Sequence, residues 1–188
     1  SCMCDYIEDN IDAKGRIEAR DVNRSKHNNY SQNSIYINEL DGYGNVTTNK
    51  SHRMDYFLKT MRNKDNYDGI FLEDSFVKDN VFNGTIYEDE LNTIFDSSVY
   101  LKQCQRTGEE LLAFLEKIKG QEGLSQCGFV LRNGKYLGLD LNPIQPKRTY
   151  RLMISNKIIG QNKLEIDSKN EVNALEYLKA CWFKDRTK

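Results

Sequence analysis

The stretch Gln126 to Leu141 constrains the fold more than any other. At its centre stands Asn133-Gly134, a dipeptide that accepts positive φ at both central positions of a type I′ turn and so joins two antiparallel strands. With these two residues at the tip, Arg132 faces Lys135, Leu131 faces Tyr136, Val130 faces Leu137 and Cys127 faces Asp140. A lone hairpin is marginal in water, so further strands are required. Tyr150, Leu152 and Ile154 supply one by alternation. Leu164 and Ile166 suggest another, after a turn at Gly160-Gln161-Asn162.

Helices are marked by their caps. Thr107 with Glu110 has capping-box spacing, in which each side chain accepts from the other residue's backbone amide. Leu111, Phe114, Leu115 and Ile118 then share one stripe. Thr85 with Glu88 has the same spacing ahead of Tyr87, Leu91, Ile94 and Phe95. Ser168 with Glu171 has it ahead of Val172, Leu175, Leu178 and Trp182. Ser51 is placed to open a helix to about Asn63 with Met54, Phe57, Leu58 and Met61 inward. Ile70 to Leu72 reads as extended, as do Phe76-Val77 and Ser98 to Cys104. Ile35, Ile37 and Val46 around Asp41-Gly-Tyr-Gly-Asn45 read as an N-terminal hairpin.

The expected fold is therefore α+β, with a mostly antiparallel sheet. Its strands fall within 126–167, with the N-terminal hairpin added, and pack against helices at about 107–119 and 168–184. The 188 residues suit a single domain, 1–188. The segment 1–33 is polar and expected to be mobile. No apolar run nears the roughly 18 residues of a membrane helix, so no membrane partner is expected. The five cysteines, at 2, 4, 104, 127 and 181, form no paired framework. Scattered thiols and the want of a leader pattern at the start point to a reducing, cytoplasmic setting in the producing cell or a host cell.

Several motifs bear on chemistry. Cys2 and Cys4 lack the second ligand pair that a structural zinc site needs, and Asp41 to Asn45 lacks the closing Glu of a calcium loop. Asp167-Ser168-Lys169 with Asp140 upstream has the residue types of a nuclease metal site, but Ser168 is wanted as a helix cap. No phosphate loop, dinucleotide fingerprint or zinc-protease motif occurs, so neither metal nor cofactor is expected. Charge is uneven. Residues 50–64 hold five cations against one acid, and residues 73–96 hold seven acids against Lys78. Lys147, Arg148 and Arg151 form a second basic group.

Gly123-Leu-Ser-Gln-Cys127-Gly, followed by the hairpin, resembles the nucleophile region of picornavirus-type cysteine peptidases of chymotrypsin fold. The resemblance covers about 17 residues. It implies Cys127 as nucleophile, its amide as part of an oxyanion hole, and His52 or His27 as base. This chain departs from the pattern in spacing its glycine four residues before the cysteine, and in placing Asp140 where the family has a histidine.

Want of a coherent catalytic set favours a non-catalytic protein-binding module, such as a small inhibitor, immunity protein or accessory factor of bacterial or viral origin. Its partner would be another protein, met through Tyr43 at a glycine-flanked turn and through the acids Glu88, Asp89 and Glu90. The alternatives are a cysteine hydrolase using Cys127 and His52, and a nucleic-acid binder using 50–64 and 147–151.

Overall fold

The computed structural model describes residues 33–37, 50–79, 84–166 and 169–183, and for 50–53 the backbone path alone. The mobile segment expected over 1–33 falls outside them but for its last residue, as do Asp41 to Asn45 and Asp167-Ser168.

The fold is α+β. Five strands make the central sheet: β2 (Gly69–Glu73), β4 (Tyr100–Thr107), β5 (Leu124–Cys127), β8 (Thr149–Ser155) and β9 (Glu171–Asn173). Their order is β5-β2-β8-β4-β9. β2 and β8 run parallel, and the other neighbours antiparallel. Two ribbons flank this sheet: β1 (Ser34–Ile37) on β3 (Gly84–Tyr87), and β6 (Phe129–Arg132) on β7 (Lys135–Gly138). The helices are α1 (Lys50–Lys64), α2 (Leu91–Ile94), α3 (Gly108–Ile118), α4 (Asn156–Gln161) and α5 (Ala174–Trp182).

Both faces of the sheet are covered, which is why β2 runs apolar from Gly69 to Leu72 and is buried to its end at Glu73. Ile70 and Leu72 point into a core shared with α1, α2 and α5. There the α1 stripe Met54, Phe57, Leu58 and Met61 is fully enclosed, and Phe57 meets Phe95 edge-on with ring centroids 4.9 Å apart. Phe71 points the other way, into a second core with Leu111 and Phe114 of α3, Ile158 of α4, Phe129 and Tyr150. α3 begins as its cap spacing predicts: Thr107 Oγ1 accepts from the Glu110 amide, and Glu110 Oε1 from the Thr107 amide.

Four expectations are corrected. The hairpin holds its register from Arg132↔Lys135 back to Phe129↔Gly138, but Cys127 does not face Asp140. The chain turns at Gly128, and Cys127 pairs with Ile70 on β2. Thr85 lies in β3, and a short 3₁₀ turn follows at Glu88–Glu90. The C-terminal helix starts at Ala174, with the Asn173 side chain as its cap, because Glu171–Asn173 is taken by pairing with β4. Gly160 and Gln161 belong to α4, and Leu164 to Ile166 pairs with no strand.

The turn at Gly128 has a steric cause. Its φ is +138°, and a Cβ there would stand 2.1 Å from the Asp68 carbonyl oxygen. The Gln126 side chain bridges the bend, donating to the Phe129 carbonyl at 2.7 Å and accepting from the Phe129 amide. Gly128→Ala is expected to lower stability by about 3 kcal/mol, read as the shift of the urea midpoint. An alanine variant of unchanged midpoint would show that the corner does not hold this close approach.

Candidate functional site

The corner at Gly128 makes one wall of a cleft, and Asp68 is its hub. The turn from α1 into β2 is pinned at both its ends. At one end the Tyr177 hydroxyl of α5 donates to Asp65 at 2.6 Å. At the other, the Arg151 amide donates to Asp68 Oδ2 at 2.8 Å, and the Arg151 guanidinium lies 4.4 Å over the Tyr67 ring. Two further arginines converge on the held residue. Arg62 Nε donates to the Asp68 carbonyl at 3.2 Å. Arg148 Nη2 stands 3.6 Å from Asp68 Oδ1, with its guanidinium 4.8 Å over the Tyr150 ring.

The opposite wall is the return from β7. Asp140 Oδ1 accepts from the Asn142 amide and Oδ2 from its side-chain nitrogen, both at 3.0 Å. These bonds hold the Asp140 carboxyl below its ordinary range. Leu141 is set at φ +66°, a conformation unfavourable to a residue with a Cβ. Beyond it, the Gln145 amide donates to the Tyr150 hydroxyl at 2.9 Å. The loop 138–148 is thereby tied to the second core.

Two hollows adjoin between these walls. The smaller, about 130 Å³, lies between Arg62, Arg148, Asp68 and Asp140, with Phe129 and Tyr150 beneath. The larger, about 560 Å³, runs along α1 past Lys59 and Asn63 to Cys127 and Val130. Arg62, Gly128, Phe129 and Leu139 line both. The pair therefore makes one trough, with Arg148 at one end, Arg62 between, and at the other end Cys127, Val130 and Leu139 facing Asp55 and Lys59 of α1. A guanidinium offers a planar fork of donors that matches phosphate or carboxylate oxygens. Among the described residues no group of three or more His, Cys, Asp or Glu is arranged to hold a metal ion.

Cys127 borders the trough as a half-buried strand residue. Burial pushes its thiol up; among nearby charges Arg62 and Lys59 oppose the rise and Asp55 adds to it. That is the reverse of the lowered pKa that marks a nucleophilic cysteine, and a five-stranded sheet between helices is no double β-barrel. The peptidase reading is corrected on both counts. His52 lies on α1 with its side chain outside the described residues, and His27 and Tyr43 are also outside them.

Glu88, Asp89 and Glu90 lie on the 3₁₀ turn before α2, away from the cleft. Glu88 is buried and accepts from the Asn33 side chain at 2.9 Å. Glu90 Oε2 accepts from the Tyr87 amide at 2.6 Å, and Asp89 is exposed. The basic segments behave differently from a surface stripe. Arg62, Arg148 and Arg151 all turn toward Asp68 and its neighbours. Asp68 itself was not singled out by the sequence, although a glycine directly after a strand cysteine is a signal of close backbone approach.

No protein-family model and no curated protein sequence matches the chain. Solved structures do. A 5'-nucleotidase precursor of Thermus thermophilus is 13% identical with a TM-score of 0.47, over 90% of this chain and 40% of that one. A 5'-nucleotidase of Staphylococcus aureus in complex with alpha-ketoglutarate is 10% identical with a TM-score of 0.48, over 88% and 39%. The NAD nucleotidase of Haemophilus influenzae is 12% identical with a TM-score of 0.48, over 93% and 38%. The chain thus spans about two fifths of the length of these proteins. At these identities the likeness carries no residue's role and no substrate across. None of the three is an inhibitor, immunity protein or accessory factor, and the expectation of such a module is withdrawn.

The raised thiol of Cys127 sets its reactivity. Iodoacetamide is expected to label it slowly at pH 7, and faster as pH climbs past the ordinary cysteine value of about 8.5, because thiolate is the reacting form. Mass spectrometry after timed labelling reads this. Rapid, selective labelling of Cys127 at neutral pH would contradict the geometry.

Proposed function

We infer that the trough recognises a phosphate ester of the nucleotide class. The observation that carries the reading is the convergence of Arg62 and Arg148 on opposite sides of one fixed residue, the first on the Asp68 carbonyl and the second on its carboxylate. Neither contact saturates its guanidinium, which has five donors. Both groups line the smaller hollow, whose volume of about 130 Å³ suits a single small anionic group.

The remaining lining suits the rest of such a ligand. The carboxylates of Asp68 and Asp140 are acceptors for sugar hydroxyls, which a purely anionic ligand would not need. The larger hollow, about 560 Å³, lies within the range of small-molecule sites. Its apolar flank of Val130 and Leu139, backed by the buried Phe129, offers a surface to a flat base. The aromatic floor is held rigid from below, since Phe129 stacks on Phe71 with centroids 6.2 Å apart. That rigidity limits the ordering cost of binding.

Calorimetric titration with AMP, adenosine and inorganic phosphate tests the proposal. AMP is expected to bind more tightly than either fragment. Arg62→Gln and Arg148→Gln should each weaken AMP by about tenfold or more, the worth of a charge-assisted hydrogen bond, while leaving adenosine nearly unchanged. Absence of AMP binding at millimolar concentration, or AMP bound by both variants as tightly as by the unsubstituted protein, would overturn it.

A further inference from the structure

A second hollow, sharing no lining residue with the trough, runs along α3 on the face of the sheet that carries the second core. Its volume is about 370 Å³. Leu111 and Phe114 of α3 form one side and Leu152 and Ile154 of β8 the floor. Leu164 and Ile166 close the other side from the segment after α4. Those last two side chains are only partly buried, and Leu164 to Ile166 pairs with no strand. A polar clasp at each end holds this segment across the groove. Arg106 donates to the Glu165 carbonyl and Lys117 to the Asn162 carbonyl.

The two ends differ in charge. At the Arg106 end, Glu110 and Glu165 also line the groove, so an incoming anion would meet carboxylates there. At the other end Lys117 is the charged lining residue. An ammonium has three donors, and the Asn162 carbonyl takes one. From Glu110 to Lys117 the helix rises about 10 Å, the span of a medium-length acyl chain. A volume of a few hundred Å³, apolar walls and a single cation at one end describe a site for a small amphipathic acid.

We propose that the groove between α3 and residues 164–166 binds a free medium-chain aliphatic carboxylate, its head on Lys117 and its chain along Phe114, Leu152 and Ile154. The Asn162 carbonyl and the head share the ammonium, and the segment 164–166 folds over the chain. Binding involves no covalent step. Apolar contact supplies the attraction along the chain, and the lysine sets which way round it lies.

The test is calorimetric titration of the full chain with sodium octanoate and with octanamide, the neutral analogue of the same length. Octanoate is expected to bind at one site, and octanamide about tenfold more weakly. Lys117→Gln should remove that difference by weakening octanoate alone. Ala113→Trp, at an exposed helix position lining the groove, should abolish binding of both. Circular dichroism checks that each variant folds; should the tryptophan variant not fold, Lys117→Gln decides. No octanoate binding at millimolar concentration would overturn the proposal. So would octanamide bound as tightly as octanoate, or octanoate bound equally well by Lys117→Gln.

Discussion

A backbone packed against backbone governs this molecule. Gly128 lies so close to the Asp68 carbonyl that no side chain fits between them, and the next residue on the β2 side, Gly69, would place a Cβ 2.4 Å from the Phe129 ring. Because the chain can turn at Gly128, one continuous stretch serves two purposes. Its first half, β5, completes the edge of the central sheet. Its second half leaves that sheet as the β6–β7 ribbon, which lays Phe129 across the second core. The cleft is the space left between this departure and the end of α1.

The same constraint accounts for the electrostatics of the cleft. Asp68 is held by Gly128 behind it, by the Arg151 amide beside it, and through Asp65 by Tyr177 of α5. A residue fixed so firmly can gather Arg62 on its carbonyl and Arg148 on its carboxylate at the surface, where an isolated exposed ion contact would count for little. Arg148 rests on the Tyr150 ring as well as beside Asp68, whose 3.6 Å contact is long for a hydrogen bond. The cations are thus positioned from the core outward.

Much of the fold could be read from local patterns, and the part that could not be read is the part that makes the site. Asn133-Gly134 sets the ribbon register, Thr107 and Glu110 set the start of α3, and the four apolar residues of α1 announce their own burial. Each depends on residues within a few positions of one another. Cys127 pairs instead with Ile70, across more than fifty residues, and the hairpin alternation runs straight through Gly128 without revealing the bend. Ser168 with Glu171 had the spacing of a cap, but pairing of Glu171 to Asn173 with β4 moved the helix start to Ala174. Arg62 and Arg148 were visible as members of basic groups. What drew them together is Asp68, an acid in an unremarkable turn.

The most direct test of this account is a map of where a nucleotide touches the folded chain. Amide chemical shifts followed by ¹H–¹⁵N correlation spectra during addition of AMP provide one without any substitution. The account predicts that the largest shifts fall on Arg62, Asp68, Gly128, Phe129 and the loop 138–148, with little change along α2 or β9. Shifts centred on another part of the sheet, or none at a saturating concentration, would contradict it.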